Sequence, residues 1–348
     1  MASSLPRRLM RVAAGLMGAA LAVGALTFPA GAARAGSGAP GPSASALFSY
    51  TDPQITESSG IAASSFDDSF YTHNDSGDSA RFFRVDAHGN TVAVYTLRGA
   101  TNVDWEDMAT GTDGAGHRVL YFGDIGDNDR KRNEIAVYRV PEPRGASSNV
   151  AWVRYRFAYP DGAHDAEALL VNPRDHRIYI ATKTLLGSGE LFEAPQSLST
   201  TGVNLLVPVG TVPALTTSAD FSPDGTRIVL LTYVGAFWSD AVGGTWNRFD
   251  VPLPHQAEAI AYARGGSSVL VGGEGTHSVV YEAAAPSTPS APPRSTISPG
   301  PPPSQPPSPA PPTAARSSRG VPIGVVILLV VAPLAVIGFL TLRWRRNR

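Results

Sequence analysis

Three short acidic stretches have the composition of a cation or acid–base site: Asp104-Trp-Glu106-Asp107, His164-Asp165-Ala-Glu167 and His255-Gln-Ala-Glu258. Two loops add to them, His73-Asn74-Asp75-Ser-Gly-Asp78 and Gly123-Asp124-Ile-Gly-Asp127-Asn128-Asp129. Carboxylates gathered in one place repel one another unless something compensates them, and a hard cation does so directly. Ca²⁺ takes six to eight oxygen ligands from carboxylates, amides and carbonyls. The Asp124–Asp129 loop, with Asp124, Asp127 and Asn128 and a Gly for the tight turn, is well suited to such an ion, with Ca²⁺ as the expected one. The spacing is not that of an EF-hand. His73, Asn74, Asp75, Lys183, His164 and His255 are candidates for contacting a bound ligand. No His pair has zinc-ligand spacing. Glu106, Glu167 and Glu258 are the candidates for two-carboxylate glycoside cleavage, which needs a separation of about 5–10 Å. The chain has no G-x-S-x-G elbow, no H-E-x-x-H and no P-loop, so acyl transfer, zinc proteolysis and nucleotide chemistry lack motif support.

Something must bring segments so far apart in sequence to one place, and an internal repeat does. A small or acidic lead-in, a short apolar strand, a polar turn and a β-branched or aromatic strand recur five times. The copies start at Glu57, Asp104, Asp165, Ser218 and Gln256. Turn sequences such as Ser222-Pro-Asp-Gly and Asn172-Pro-Arg-Asp separate the strands. Short strands at this spacing predict an all-β propeller of five four-stranded blades, with Val203 to Leu215 as room for a sixth. The last copy reaches only a third strand at Tyr281. Ala46 to Tyr50 is expected to supply its outer strand and close the ring. Lead-ins and second-strand exits then converge on one face. Trp105, Phe82, Phe83, Tyr138 and Tyr179 are expected in the core.

Asp104-Trp-Glu-Asp-Met-Ala and Gly123-Asp-Ile-Gly-Asp-Asn resemble motifs of uncharacterised secreted bacterial propeller proteins and, more distantly, of the phytase-like propeller superfamily. The resemblance is best over Glu57 to Pro143. It implies a calcium-loaded acidic face, with Asp104, Glu106, Asp107, Asp124 and Asp127 as ligands and Lys183 as a phosphate contact. The domain holds only two lysines, Lys131 and Lys183, which is few for phosphate clamping.

The ends of the chain set its expected location. Arg7, Arg8 and Arg11 precede an apolar run from Val12 to Phe28, then the small-residue sites Ala30-Gly-Ala32 and Ala33-Arg-Ala35. This is the pattern of a secretory signal over residues 1–35. Val321 to Leu342 carries no charge and is long enough to span a bilayer. The arginines that follow, Arg343 to Arg348, place the C-terminus in the cytoplasm by the positive-inside rule. Residues 286–320 are rich in Pro, Ser, Ala and Thr and read as an extended spacer reaching on the order of 100 Å. Residues 45–285 form the extracytoplasmic domain. The chain has no Cys, so neither disulfides nor a lipobox are available, and no LPxTG-type signal precedes the apolar span. All 29 acids but only 17 of the 28 lysines and arginines lie between Asp52 and Glu282, so the domain carries a charge near −12. Such a surface repels nucleic acid and favours cations. The expected role is a membrane-anchored binding module for an extracellular ligand or envelope partner. The alternatives are a metal-dependent phosphoesterase or a glycoside hydrolase.

Overall fold

Runs of Val, Ile, Leu and aromatic residues, cut by Asp/Asn/Pro/Gly turns, form strands throughout the computed structural model, which describes residues 44–287. The turn after Phe221 shows the local logic. Gly225 adopts φ 63°, its N–H donates to Ser222 O at 2.7 Å, and Ser222 Oγ accepts from Thr226 N and Arg227 N. The chain therefore reverses directly into Ile228–Thr232.

Five sheets result, each a blade. Blade 1 runs outward as Ser58–Ala63, Phe70–Asn74, Arg81–Val85 and Thr91–Thr96, with Ser148–Asn149 added in parallel at its edge. Blade 2 is Trp105–Thr112, Arg118–Asp124, Ile135–Pro141 and Val153–Ala158, with Val203–Leu205 added in parallel. Blade 3 is Ala166–Val171, Ile178–Thr182, Gly189–Glu193 and Val207–Val212. Blade 4 is Thr216–Phe221, Ile228–Thr232, Gly235–Ser239 and Asn247–Phe249. Blade 5 is Ala257–Tyr262, Ser268–Gly273 and Val279–Ala284, completed by the N-terminal strand Ser45–Ser49, antiparallel to Val279–Ala284. The expected ring closure is thus present, and the first and last strands share one sheet. A sixth blade is not: Val203–Leu205 edges blade 2 and Val207–Val212 is the outer strand of blade 3. That segment is too short to form a sheet of its own.

The inner strands contact one another in sequence around the ring, and the last contacts the first. Five apolar cores fill the wedges between neighbouring blades. Between blades 1 and 2 this core includes Tyr71, Phe82, Tyr95, Trp105, Phe122 and Tyr138, with the Trp105 and Phe122 rings stacked at 5.1 Å. Trp105, Phe82, Phe83, Tyr138 and Tyr179 are all buried, as expected.

The structure corrects one repeat boundary. The inner strand of blade 4 starts at Thr216, so its lead-in is Leu215, three residues before the expected Ser218. Blade 4 therefore brings no acid to that position. Among the described residues no helix is long and apolar enough to cross a membrane. The expected signal segment, residues 1–35, and the span Val321 to Leu342 both lie outside the described residues.

Candidate functional site

The repeat has a backbone signature. In every blade the first residue after the second strand donates its N–H to the lead-in carbonyl: Asp75 to Glu57 (2.9 Å), Ile125 to Asp104 (3.1 Å), Lys183 to Asp165 (2.9 Å), Tyr233 to Leu215 (3.3 Å) and Glu274 to Gln256 (3.1 Å). Lead-ins and exits do converge on one face.

A second regularity follows. The pairing register slips once in every inner strand, between Ser58 and Gly60, Trp105 and Asp107, Ala166 and Ala168, Thr216 and Ser218, and Ala257 and Ala259. The skipped residues are Ser59, Glu106, Glu167, Thr217 and Glu258. A bulge leaves its extra residue unpaired and re-aims the side chain. All three predicted glutamates are thus bulge residues at equivalent positions, and each is about 1 % exposed. Their surroundings differ. Glu167 is paired with Lys183, whose Nζ also lies 3.8 Å from Asp165 Oδ2. Glu258 Oε1 accepts from Tyr233 Oη at 2.7 Å. Glu106 lies with Asp75 and Asp104, where one oxygen from each carboxylate falls within 4.8 Å of the others. Ser59 and Thr217 donate to carbonyls of the next inner strand, at Glu106 and Ala257.

Gly126 borders the three-carboxylate group. A Cβ there would lie 2.5 Å from Asp104 Oδ2 and inside contact distance of Glu106 Oε1. Only a residue without a side chain leaves this space open. Beside the group lies Asp124, fully buried. One of its oxygens accepts from Asp104 N at 3.2 Å and pairs with Arg132 at 2.8 Å. Its other oxygen has no hydrogen-bond partner among the described residues. Burial raises the Asp124 pKa against the pull of Arg132.

The remaining predicted residues sit elsewhere. The Asp124–Asp129 loop is folded around Arg132, which donates to the carbonyls of Gly126 (2.8 Å) and Asp124 (3.0 Å). Asp127 accepts from Arg132 N at 2.7 Å, and Asn128 is exposed. Arg132 carries no repeat signal; its place in a loop eight residues after Asp124 is what hid it. Asp107 points into the channel instead of toward the face. One of its oxygens accepts from Leu169 N (3.0 Å) and Ala219 N (3.3 Å), the other from Met108 N (2.8 Å) and Ser218 Oγ (3.1 Å). Burial pushes its carboxyl well above the ordinary carboxylate range, against these four donors. Asn74 is a staple. Its Oδ1 accepts from Thr56 N and Glu57 N, and its Nδ2 donates to Gln54 O and Asp78 Oδ2. His164 pairs with Asp161 at 2.9 Å and, with Glu190, forms a second group of carboxylate and imidazole atoms within 4.8 Å. His255 is exposed on the same face.

His73 is wholly buried, edge-on to Trp105 and Phe122, with Nδ1 3.0 Å from Asn74 O. Burial lowers its pKa to about 4 from 6.5. A depressed folded-state pKa means that neutral His73 stabilises the fold above pH 6.5. That contribution is lost as pH falls through about 4. The shift corresponds to roughly 3 kcal/mol. Urea unfolding between pH 7 and 4 is expected to show this loss in the wild type and a flatter profile in His73→Leu; equal profiles would contradict the assignment.

No family model matches the chain, and no curated protein matches it. Among solved structures it is similar to a gluconolactonase from Xanthomonas campestris, at 14 % identity and TM-score 0.39, covering 63 % of this chain and 69 % of that one. A nidogen/laminin complex gives 13 % identity and TM-score 0.40, covering 63 % and 73 %. A luciferin-regenerating enzyme gives 10 % identity and TM-score 0.40, covering 70 % and 96 %. The gluconolactonase and the luciferin-regenerating enzyme are β-propeller proteins. Likeness at this level carries no activity across.

Proposed function

We propose that the chain is a membrane-anchored, surface-displayed binding module whose acidic face is completed by a divalent cation, Ca²⁺ by the chemistry of its donors. The observation that carries this reading is the convergence of Asp75, Asp104 and Glu106 over the gap kept open by Gly126. Two of these carboxylates are buried, and a hard cation offsets their mutual repulsion. Asp104 and Glu106 remain from the predicted ligand set, and Asp75 moves into it from the ligand-contacting set. The surroundings favour recognition. The loops of this face expose Val103, Leu185, Leu186, Val234 and Leu253 around the acidic centre. Exposed aliphatic groups beside a polar centre suit a macromolecular partner. The signal-like start, the apolar span near the C-terminus and the spacer between domain and span support display outside the membrane.

A second reading, a metal-dependent phosphoesterase of the phytase-like kind, draws on the same carboxylates. Lys183, its expected phosphate contact, is instead buried and paired with Glu167. Two-carboxylate glycoside cleavage meets the same obstacle, because Glu167 is engaged by Lys183 and Glu258 by Tyr233. The two main readings separate in a phosphomonoester assay with added Ca²⁺. The binding module predicts no turnover in either wild type or Asp104→Asn. Turnover in the wild type that is lost in Asp104→Asn would overturn it in favour of the enzyme.

A further inference from the structure

The channel end opposite the acidic face opens into a cavity of about 330 Å³. Its wall is lined by alanines, including Ala62, Ala109 and Ala261, by Ser and Thr hydroxyls, and by four larger polar side chains: Arg118 from blade 2, Asp220 from blade 4, and Tyr262 and Arg264 from blade 5. Tyr262 is 7 % exposed, and its Oη has no hydrogen-bond partner among the described residues. Arg118 Nε is likewise without a hydrogen bond. Glu142 Oε2 lies 3.8 Å from it, and the Glu142 oxygens accept from Ser65 N (2.8 Å) and Ser65 Oγ (2.6 Å) instead. Asp220 Oδ2 accepts from Tyr262 N at 2.9 Å. Burial lifts the Asp220 carboxyl to about 7, opposed by the backbone N–H groups of Tyr262 and Phe221 and by the charge of Arg118.

The charged groups at this alanine-lined space are thus Asp220, Arg118 and Arg264, of which Arg264 is already paired with Asp68 at 2.8 Å; buried polar groups are ordinarily hydrogen-bonded. A simple anion would meet Arg118 but also Asp220. A simple cation would meet Asp220 but also Arg118. An uncharged ligand would bring a counter-charge to neither, leaving Arg118 with only the carboxylate of Glu142 at 3.8 Å. We propose that this mouth is a second ligand site, for a zwitterion of amino-acid size whose ammonium group pairs with Asp220, whose carboxylate pairs with Arg118, and which also hydrogen-bonds Tyr262 Oη. The volume lies near the lower end for small-molecule sites and admits such a ligand. A bound ammonium would also restore to Asp220 the charge that burial disfavours.

The test is calorimetric titration of the full-length protein with L-leucine, γ-aminobutyrate, butylamine and butyrate. At least one zwitterion is expected to bind about tenfold or more tighter than both one-ended analogues. Asp220→Asn and Arg118→Gln are each expected to weaken it by about tenfold or more. Tyr262→Phe, which removes one oxygen and keeps the ring, should weaken it by roughly threefold or more, and serves if an Asp220 or Arg118 variant does not fold. Asp104→Asn, on the opposite face, should leave it unchanged. The proposal is overturned if neither zwitterion binds at about 10 mM. It is also overturned if butylamine or butyrate binds as tightly as the zwitterions, or if affinity is unchanged in the folded variants.

Discussion

Replacing Asp107 by Ala is expected to destabilise the propeller by about 3–5 kcal/mol, among the largest effects of any single change in the chain. Three inner strands depend on this carboxylate. It binds its own strand at Met108 N, blade 3 at Leu169 N, and blade 4 at Ala219 N and Ser218 Oγ. Ser218 Oγ in turn accepts from Ile260 N at 3.0 Å, which extends the network to blade 5. At the same level the other blades carry Gly60, Ala168, Ser218 and Ala259, so the ring has room for one long side chain at its centre. Truncation leaves two backbone N–H groups of other blades buried without acceptors and opens a void between the strands. Both effects are costly. Asp107→Asn keeps the volume but turns an NH₂ toward one pair of donors, and should cost about 1–3 kcal/mol. Urea unfolding measures both. A loss below about 1 kcal/mol in Asp107→Ala would show that the channel network does not hold the ring together.

Gly126→Ala is expected to cost about 2–4 kcal/mol and to abolish cation binding at the acidic face. The added Cβ would displace the carboxylates of Asp104 and Glu106. Glu106 is 1 % exposed, so its carboxylate can yield only into the gap it shares with Asp75 and Asp104, which closes the cation site. Gly126 cannot simply shift outward either, because its N–H donates to Asp104 O at 3.2 Å and its carbonyl accepts from Arg132 at 2.8 Å. A neutral outcome in both stability and cation binding would mean that this gap is not the site. Gly99→Ala gives the contrast. Its neighbourhood is open, so any loss there reflects only its φ of 85°.

The architecture was legible because it depends on local pattern. Strand runs, turn residues and the unfinished fifth copy together implied a ring closed by the N-terminal strand, and Ser45–Ser49 does pair with Val279–Ala284. The fourth repeat was misplaced by three residues because Leu215 carries none of the acidity that marks Glu57, Asp104 and Asp165. The site was legible as a face and less so as a set of partners. Strict alternation gives no warning of a bulge, yet the bulges at Glu106, Glu167 and Glu258 decide where those side chains point. Asp107, one residue further on, consequently faces the channel. Its role depends on four small residues in other blades, which come together only when the ring closes. Arg132 shows the same limit in a loop. Nothing local marks it as the residue that fills the Asp124–Asp129 turn.

The most direct test of the cation-completed acidic face is calorimetric titration of chelator-treated full-length protein with Ca²⁺, with Mg²⁺ run in parallel. The arrangement of Asp75, Asp104 and Glu106 predicts one strong Ca²⁺ equivalent per chain, weakened about 100-fold or more in Asp104→Asn and in Glu106→Gln. Asp127→Asn, whose carboxylate holds the Arg132 backbone instead, should retain it. Absence of a Ca²⁺ equivalent in the wild type, or the same affinity in all three variants, would contradict it.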